Sequence, residues 1–178
     1  MSVGDLNSLL ALGTLAIQIA SAVLLAVYFL PNLIPGAYEI RAYVGKWGIA
    51  LGLVLILTTA AANLYYESFG FEPCYWCYWQ RIFLYPQAVL FGVALWKRDM
   101  QIADHSIALS IFGAGVALYH HALQMLPGSG LPCPSVGVSC ATRILFEFGY
   151  ITYPLMAFSL FAFLIVLMLF VRSSYQAK

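Results

Sequence analysis

Residues 150–171 read YITYPLMAFSLFAFLIVLMLFV and include no charged side chain. A helix of about 20 apolar residues, rising about 1.5 Å per residue, crosses the hydrocarbon core of a bilayer. The rest of the chain has the same character, since 63% of its 178 residues are hydrophobic and 8% are charged. Soluble domains carry about 25% charged residues. The sequence therefore predicts an all-α integral membrane protein.

The charge balance excludes two further classes of protein. The formal net charge is +1, whereas recognition of nucleic-acid phosphates needs a concentrated patch of Lys and Arg. Intrinsic disorder requires low hydrophobicity together with high net charge, and this chain has neither. We therefore expect membrane lipid, and no nucleic acid, as a partner.

Five stretches of the chain are suited to transmembrane helices, counting one that only nearly qualifies. The predicted spans are 6–30, 47–66, 77–96, 106–126 and 150–171. The third is the weakest, because Gln80 and Arg81 precede its purely apolar part. The first is not expected to be a cleavable signal peptide, because no base precedes it and its apolar run is too long.

The distribution of Lys and Arg predicts an orientation by the positive-inside rule. The links after the first and third spans and the C-terminal tail carry most of the bases, namely Arg41, Lys46, Lys97, Arg98, Arg172 and Lys178. The other side carries Arg81 and Arg143 with most of the acids. We therefore expect the C-terminus inside, the N-terminus outside and both cysteine pairs on the outer side.

The four cysteines form two pairs near predicted helix ends. Cys74 and Cys77 form a CxxC motif at the outer end of the third span, whereas Cys133 and Cys140 lie in a loop rich in Pro and Gly. On the oxidising side of a membrane, disulfide chemistry is favoured over a reduced zinc site. Such a loop can open, so we expect its disulfide to be reachable by another protein.

Arg81 adds a specific chemical property to the CxxC motif. Cys77 is expected in the first turn of a helix, where free N–H groups and the helix dipole favour a thiolate. Arg81 follows four residues later on the same helix face, and a cation this close also favours the ionised thiol. Cys77 is therefore a candidate thiolate. The alternative is that Arg81 is an anchor that reaches the lipid headgroups.

Residues 73–86 read PCYWCYWQRIFLYP, which resembles the signature of the disulfide-bond formation protein B family (DsbB-like, including BdbC-type members). The resemblance extends over roughly residues 45–172 and includes the order of the two cysteine pairs. It implies a DsbB-like four-helix quinone reductase domain at 45–178. An extra N-terminal transmembrane helix with its cytoplasmic link then occupies 1–44, which makes five transmembrane helices in all.

The resemblance also implies a function, that of a thiol:quinone oxidoreductase in a prokaryotic cytoplasmic (inner) membrane. In this family a thioredoxin-like (DsbA-like) extracytoplasmic oxidase passes electrons to the loop disulfide. The CxxC pair reoxidises the loop pair, and a membrane quinone (ubiquinone or menaquinone) reoxidises the CxxC pair. By position, Cys133 resembles the cysteine that the partner attacks, and Cys140 resembles the one that then bonds to Cys74. Cys77 resembles the thiolate that faces the quinone.

Three other side chains are candidate quinone contacts, Arg81 and His120 by the same resemblance and Gln80 because it follows Cys77 by three residues. Arg81 is expected to hold a quinone oxygen and the Cys77 thiolate together, and Gln80 is expected to face the ring. His120 stands before the end of the fourth span at a spacing similar to that of a family histidine near the quinone. Its neighbour His121 leaves this assignment open by one residue, and the alternative for either is an interfacial histidine.

Two other functions stay open on the sequence alone. Four thiolates could hold zinc or an iron–sulfur cluster, although Cys133 and Cys140 lack the short spacing of a second metal-binding pair. Haem is disfavoured, because Tyr78 follows Cys77 where a c-type site needs histidine. The other alternative is a structural membrane protein whose disulfides staple its loops. The favoured interpretation involves no metal.

Overall fold

The computed structural model describes residues 3–126, 132–133 and 138–176. This part of the chain is almost entirely helical, which confirms the all-α class, and it also contains a short hairpin that the sequence analysis did not predict. The elements are α1 (Val3–Phe29), α2 (Ala37–Ser68), α3 (Tyr75–Lys97), α4 (Ile102–Met125), β1 (Phe146–Glu147), β2 (Ile151–Thr152) and α5 (Tyr153–Gln176). The stretches 127–131 and 134–137, which belong to the loop predicted to open, lie outside the described residues.

Four helices in the described part of the chain are long and apolar enough to cross a membrane, and they correspond to α1, α2, α4 and α5. The third predicted span forms α3, but this helix is not among the four. Its sequence contains Gln80, Arg81 and Gln87, which lower its apolar character. A helical membrane protein is therefore supported, whereas five membrane-crossing helices are not confirmed.

α2 begins earlier than the sequence predicts. Its start is expected at residue 47, but the helix begins at Ala37, directly after Gly36. The φ of Gly36 is 77°, a left-handed conformation that glycine adopts without a steric penalty. Arg41 and Lys46 therefore lie within α2 and not in a link between helices. The predicted domain boundary at residue 44 also falls inside this helix.

α5 is the most buried of the candidate spans and packs against α4, α2 and α1. Close approach of α2 depends on three glycines on one of its faces, and a Cβ at the first of them, Gly45, would collide with Ser174 of α5. A Cβ at Gly48 would lie 2.8 Å from Val171 Cγ2 of α5, and a Cβ at Gly52 would lie 2.6 Å from Phe91 Cε2 of α3. Small residues at these positions let the helices approach closely, which is how helices associate in lipid.

The end of the bundle that carries the cysteines is organised by several short connections. We call it the cysteine end; it comprises the last turn of α2, the first turns of α3, the last turns of α4 and residues 132–133 and 138–153. β1 and β2 pair in antiparallel register around a turn at Phe148 and Gly149, whose φ values are 51° and 77°. The Arg143 side chain donates from Nε to the carbonyl oxygen of Gln124 at 2.8 Å. This bond fastens the segment before the hairpin to the end of α4.

Candidate functional site

The CxxC motif lies at the start of α3. Cys74 is the N-cap residue in an extended conformation, and Cys77 lies in the first turn, where its backbone N–H donates to Cys74 O at 3.0 Å. The two Sγ atoms are 2.8 Å apart as free thiols. A disulfide needs about 2.05 Å between its sulfurs, so only a small movement separates the dithiol from the disulfide. The helix start therefore holds this pair ready for reversible oxidation.

His120 on α4 connects the CxxC pair to the second cysteine pair. Its Nε2 is 3.5 Å from Cys74 Sγ and 3.1 Å from the carbonyl oxygen of Cys140. Its Nδ1 is 3.0 Å from Nε2 of Gln80. Because the Gln80 amide donates to Nδ1, Nε2 is the ring nitrogen that donates towards Cys74 and Cys140. The side chain is 1% exposed, so water does not compete for these bonds.

The surroundings of Cys74 favour its thiolate in the dithiol state. The Cys77 thiol donates a hydrogen bond to Cys74 Sγ, and His120 adds a further hydrogen bond and a favourable electrostatic interaction. These contacts hold the pKa of Cys74 well below its usual range, although burial of the thiol acts in the opposite direction. In the dithiol the stabilising contacts thus converge on Cys74, not on Cys77. A thiolate on Cys77 stays a prediction for a state in which Cys74 is bonded to another cysteine.

Arg81 has an acidic partner that the sequence analysis did not identify. Its guanidinium forms an ion pair with Glu67, which lies in the last turns of α2. The guanidinium carbon is also 5.8 Å from the ring centroid of Tyr78, within the range of a cation–π contact. The Arg81 side chain is 18% exposed. The signal that could have identified Glu67 is the short connection between α2 and α3, which brings the two helix ends together.

The second pair of cysteines forms a disulfide between Cys133 and Cys140. Cys140 is 1% exposed, and its carbonyl oxygen accepts bonds from His120 and, at 3.4 Å, from Gln124 Nε2. Cys133 is only half-buried. The neighbouring Pro132 carbonyl accepts a bond of 2.9 Å from the Tyr119 hydroxyl on α4. One cysteine of the pair thus faces the interior beside His120, and the other is nearer the surface.

A cavity of about 290 Å³ lies between the five helices at the cysteine end. We call it the central cavity; Cys74, Cys77, Gln80, Arg81 and His120 all line it. Most of the remaining lining is apolar and comes from α1, α2 and α5. The cavity therefore combines thiols, a guanidinium and an imidazole with apolar walls.

Gln124 contributes a buried acceptor to the lining of the central cavity. Its Nε2 donates to the carbonyl oxygens of Cys140 and Thr142, the latter at 3.0 Å, which orients the amide. Its Oε1 is buried and has no hydrogen-bond partner among the described residues. An unsatisfied buried acceptor costs free energy, and a donor supplied by a bound molecule would recover it.

The structure brings together most of the side chains singled out in the sequence. Cys74, Cys77, Gln80, Arg81 and His120 share the central cavity, whereas Cys133 and Cys140 are not among its described lining residues. His121 is placed differently from His120, because its Nδ1 is 2.8 Å from the Thr152 hydroxyl on β2. His120 is therefore the histidine at the cysteines. Its contact with a quinone stays a prediction, as do the roles of the other side chains.

The donor set also bears on the metal-binding alternative. One atom each from Cys74, Cys77 and His120 lies within 4.8 Å of the others, close enough for three ligands of one ion. Cys133 and Cys140 are bonded to each other, so the described residues do not assemble a site of four thiolates. The arrangement is thus compatible with three metal ligands and with dithiol chemistry, and only the second uses the loop disulfide.

The fold and the site together define a helical membrane protein with a thiol–disulfide redox centre. The family described as disulfide bond formation protein DsbB matches residues 45–171, which include all four cysteines, Arg81 and His120. The chain belongs to this family, as the signature at 73–86 indicates. Its members are disulfide formation proteins, which implies an oxidoreductase that acts in a membrane.

Individual relatives agree with the family assignment. Disulfide bond formation protein C of Bacillus subtilis (strain 168) is 34% identical over 118 residues, which cover 65% of this chain and 85% of that protein. A probable disulfide formation protein of Chlamydia trachomatis is 40% identical over 110 residues, covering 59% and 79%. The SPbeta prophage-derived disulfide bond formation protein B of Bacillus subtilis is 33% identical over 121 residues, covering 67% and 81%. No solved structure matches the chain significantly.

Proposed function

We propose that this protein is a thiol:quinone oxidoreductase that reoxidises a thioredoxin-like (DsbA-like) extracytoplasmic oxidase and so supports protein disulfide bond formation. The observation that carries the proposal is the position of His120, which contacts Cys74 and the Cys140 backbone at once. This contact brings the loop disulfide to the CxxC pair. A structural disulfide would need no such neighbour.

The proposed relay begins at the loop disulfide. A thiolate of the partner attacks Cys133, the bond to Cys140 breaks, and the second partner thiol then releases the oxidised partner. Cys140 attacks Cys74 of the oxidised CxxC pair, which forms a Cys74–Cys140 disulfide and frees Cys77. Attack of Cys133 on Cys140 restores the loop disulfide and leaves Cys74 and Cys77 as a reduced dithiol pair. Each exchange forms one disulfide and breaks one, so the electron pair moves inward without an external oxidant.

The burial of the two loop cysteines supports this division of labour. Cys133 is half-buried and is the more accessible sulfur to a large protein partner, whereas Cys140 is 1% exposed and lies beside His120. The partner therefore reaches Cys133 first, and the released Cys140 already lies near Cys74. The short loop does not have to carry Cys140 over a long distance.

The central cavity fits a quinone by its chemistry. A quinone has a flat apolar ring and carbonyl oxygens that accept hydrogen bonds, and when bound it supplies an acceptor for two electrons and two protons. Arg81 offers five N–H donors, of which the ion pair with Glu67 occupies only part, and the apolar lining suits the ring. Arg81 would hold a quinone oxygen, with Gln80, His120 and Cys77 as the other contacts. Ubiquinone and menaquinone both have these groups.

We further propose that the cysteine end faces the extracytoplasmic side of a prokaryotic cytoplasmic (inner) membrane. The other end carries the excess of Lys and Arg, and α3, whose length of 23 residues suffices to span, is the fifth crossing helix. In intact cells an impermeant maleimide should label Cys133 once the protein is reduced, and an N-terminal tag should be accessible outside. Labelling that requires lysis would contradict this orientation.

Anaerobic mixing tests the proposed function directly. The full chain in lipid nanodiscs is mixed with a reduced thioredoxin-like oxidase and ubiquinone or menaquinone, and quinol formation is followed by absorbance. We expect one quinol for each partner dithiol oxidised, and none with Cys77→Ser. Thiols that remain unreactive, or partner oxidation without quinol, would show that the disulfides are structural or that the acceptor is not a quinone.

A further inference from the structure

α1 lies outside the region that matches the family, yet it forms one wall of the central cavity. The match begins at residue 45, and α1 ends at Phe29. Five residues of α1 line the cavity together with Cys77 and Arg81, namely Leu9, Leu10, Gly13, Thr14 and Ile17. The only side-chain hydroxyl among them, on Thr14, donates to Leu10 O at 2.8 Å within the helix. α1 therefore presents an apolar surface to the cavity.

Polar contacts fix the position of α1 against the rest of the bundle. The Tyr66 hydroxyl of α2 donates to the Asn7 side chain. Gln18 donates from Nε2 to the Ser159 hydroxyl of α5 at 2.9 Å and accepts from the Tyr150 hydroxyl at 3.2 Å. Asn7 precedes the five lining residues in the sequence of α1, and Gln18 follows them. The wall is therefore part of the fold and not a loosely associated helix.

Gly13 is an exposed position at which this wall leaves room. A Cβ added at Gly13 would meet no atom within 4 Å, although the residue lines the cavity. By contrast, a Cβ at Gly48 or Gly52 would collide with neighbouring helices. Close helix packing therefore does not explain glycine at position 13. Its effect is to leave open space in the cavity that Cys77 and Arg81 also line.

We propose that α1 is the specificity-determining wall of the quinone site, and that Gly13 leaves space for the ring substituents or the start of the isoprenoid chain. This inference rests on the proposed function. α3 and α4 supply the polar groups that any quinone would meet, whereas α1 supplies an apolar surface that limits the size of the cavity. In an apolar pocket, discrimination between similar ligands depends on whether each extra group fits. The size of the residue at position 13 therefore controls which quinones are accepted.

The test compares Gly13→Leu with Gly115→Leu. Gly115 lies on α4, is exposed, is not part of the cavity lining and also has nothing within 4 Å of an added Cβ. Both variants place the same side chain on an open helix face, so they match in their effect on helix propensity. The Kd of the oxidised protein for a short-chain ubiquinone and a bicyclic menaquinone analogue is measured by titration, followed by quenching of tryptophan fluorescence. KM and kcat for quinol formation driven by a small dithiol are measured in parallel.

We expect Gly13→Leu to raise both the Kd and the KM for quinone by roughly tenfold or more, as filling an apolar pocket does. The increase should be larger for the bicyclic quinone, kcat should change less than KM, and Gly115→Leu should match the parent. Gly13→Ala should give an intermediate increase, and it decides the question if the leucine variant does not fold. Equal Kd values for the parent and both Gly13 variants would overturn the inference. A parent protein that reduces neither quinone would instead refute the proposed function.

Discussion

The two cysteine pairs differ in how the fold holds them. Cys74 and Cys77 lie at a helix start with both sulfurs in contact, and α4 covers them through His120. Cys133 and Cys140 are separated by a stretch of loop, and only Cys140 is deeply buried. The first arrangement suits chemistry that needs fixed geometry, such as exchange with a small bound acceptor. The second suits chemistry that needs access, such as exchange with a protein.

Removal of Cys133 should produce the largest effect and separates the two pairs most clearly. Cys133→Ser leaves no loop disulfide for the partner to attack, so its oxidation should fall to the uncatalysed background. The CxxC pair does not contain Cys133, so quinol formation driven by a small dithiol should continue. The measurement compares the two electron donors on the same preparation. Oxidation of the partner at the parent rate would show that the loop pair is not where electrons enter.

Replacement of Arg81 tests whether the CxxC pair lies in a quinone-binding site. Arg81→Met keeps much of the length of the aliphatic side chain but removes the positive charge and all five N–H donors. Loss of one charge-assisted hydrogen bond costs about 1.5–3 kcal/mol, which corresponds to roughly 10- to 150-fold weaker quinone affinity. We also expect any visible thiolate–quinone charge-transfer band to disappear. Arg81→Lys should recover less than the full affinity, because lysine lacks the planar fork.

The control for this prediction lies at the other end of the same helix. Arg98 follows α3 and is exposed, so Arg98→Met removes one cation without altering the cavity. Quinone titrations of both variants, with helicity checked in parallel, separate a specific contact from a general effect of charge. If Arg81→Met and Arg98→Met bind quinone equally well, Arg81 is only an interfacial anchor.

The features of this site that are local in the chain could be predicted from the sequence. The CxxC motif and Arg81 fall within one helix, so their spacing alone places them on neighbouring turns. The apolar runs indicated where each helix lies to within a turn or two, except at the start of α2. There Gly36 allows the chain to enter a helix well before the apolar run begins.

The features that depend on tertiary contacts could not be predicted in this way. Glu67 pairs with Arg81 from another helix, and α1 forms a cavity wall through contacts with α2 and α5. His120 and His121 differ by about 100° around α4, and only the packing of that helix decides which one meets the cysteines. The hairpin at 146–152 was missed because its strands are two residues long and leave almost no alternating pattern.

Replacement of His120 tests whether this side chain of α4 lowers the pKa of Cys74 in the CxxC pair. His120→Leu removes a hydrogen bond and a favourable electrostatic interaction that help to lower the pKa of Cys74. The pKa of Cys74 should rise, so less thiolate is present at acidic pH. We expect the midpoint of its alkylation–pH profile, measured on the reduced protein by mass spectrometry, to move upward by about one pH unit.

His121→Leu is the matched control, because His121 is the neighbouring residue and bonds to Thr152 instead of a cysteine. Its profile should coincide with that of the parent. Equal upward movement in both variants would mean that the effect comes from disturbed packing of α4. No movement in His120→Leu would show that His120 does not stabilise the Cys74 thiolate.

The smallest effect on partner oxidation is expected from removing a hydrogen bond next to Cys133 in the loop pair. Tyr119→Phe removes the hydroxyl that bonds to the Pro132 carbonyl next to Cys133, an exposed contact. One exposed hydrogen bond contributes about 0.5 kcal/mol, so partner oxidation should change by only about twofold. Tyr38→Phe, which removes an exposed tyrosine hydrogen bond to Asn32, is the control. A loss of tenfold or more in Tyr119→Phe alone would mean that the loop acts as a fixed site, like the CxxC pair.

The most direct test of the relay is to ask which loop cysteine bonds to Cys74. The variant Cys77→Ser/Cys133→Ser leaves Cys74 and Cys140, and Cys77→Ser/Cys140→Ser leaves Cys74 and Cys133. Both are reduced, treated with a mild oxidant, and mapped for an internal disulfide by mass spectrometry. Because His120 contacts both Cys74 and the Cys140 backbone, we predict rapid formation of Cys74–Cys140 and slow formation of Cys74–Cys133. Faster bonding of Cys74 to Cys133, or no bond to Cys140, would contradict the proposed path.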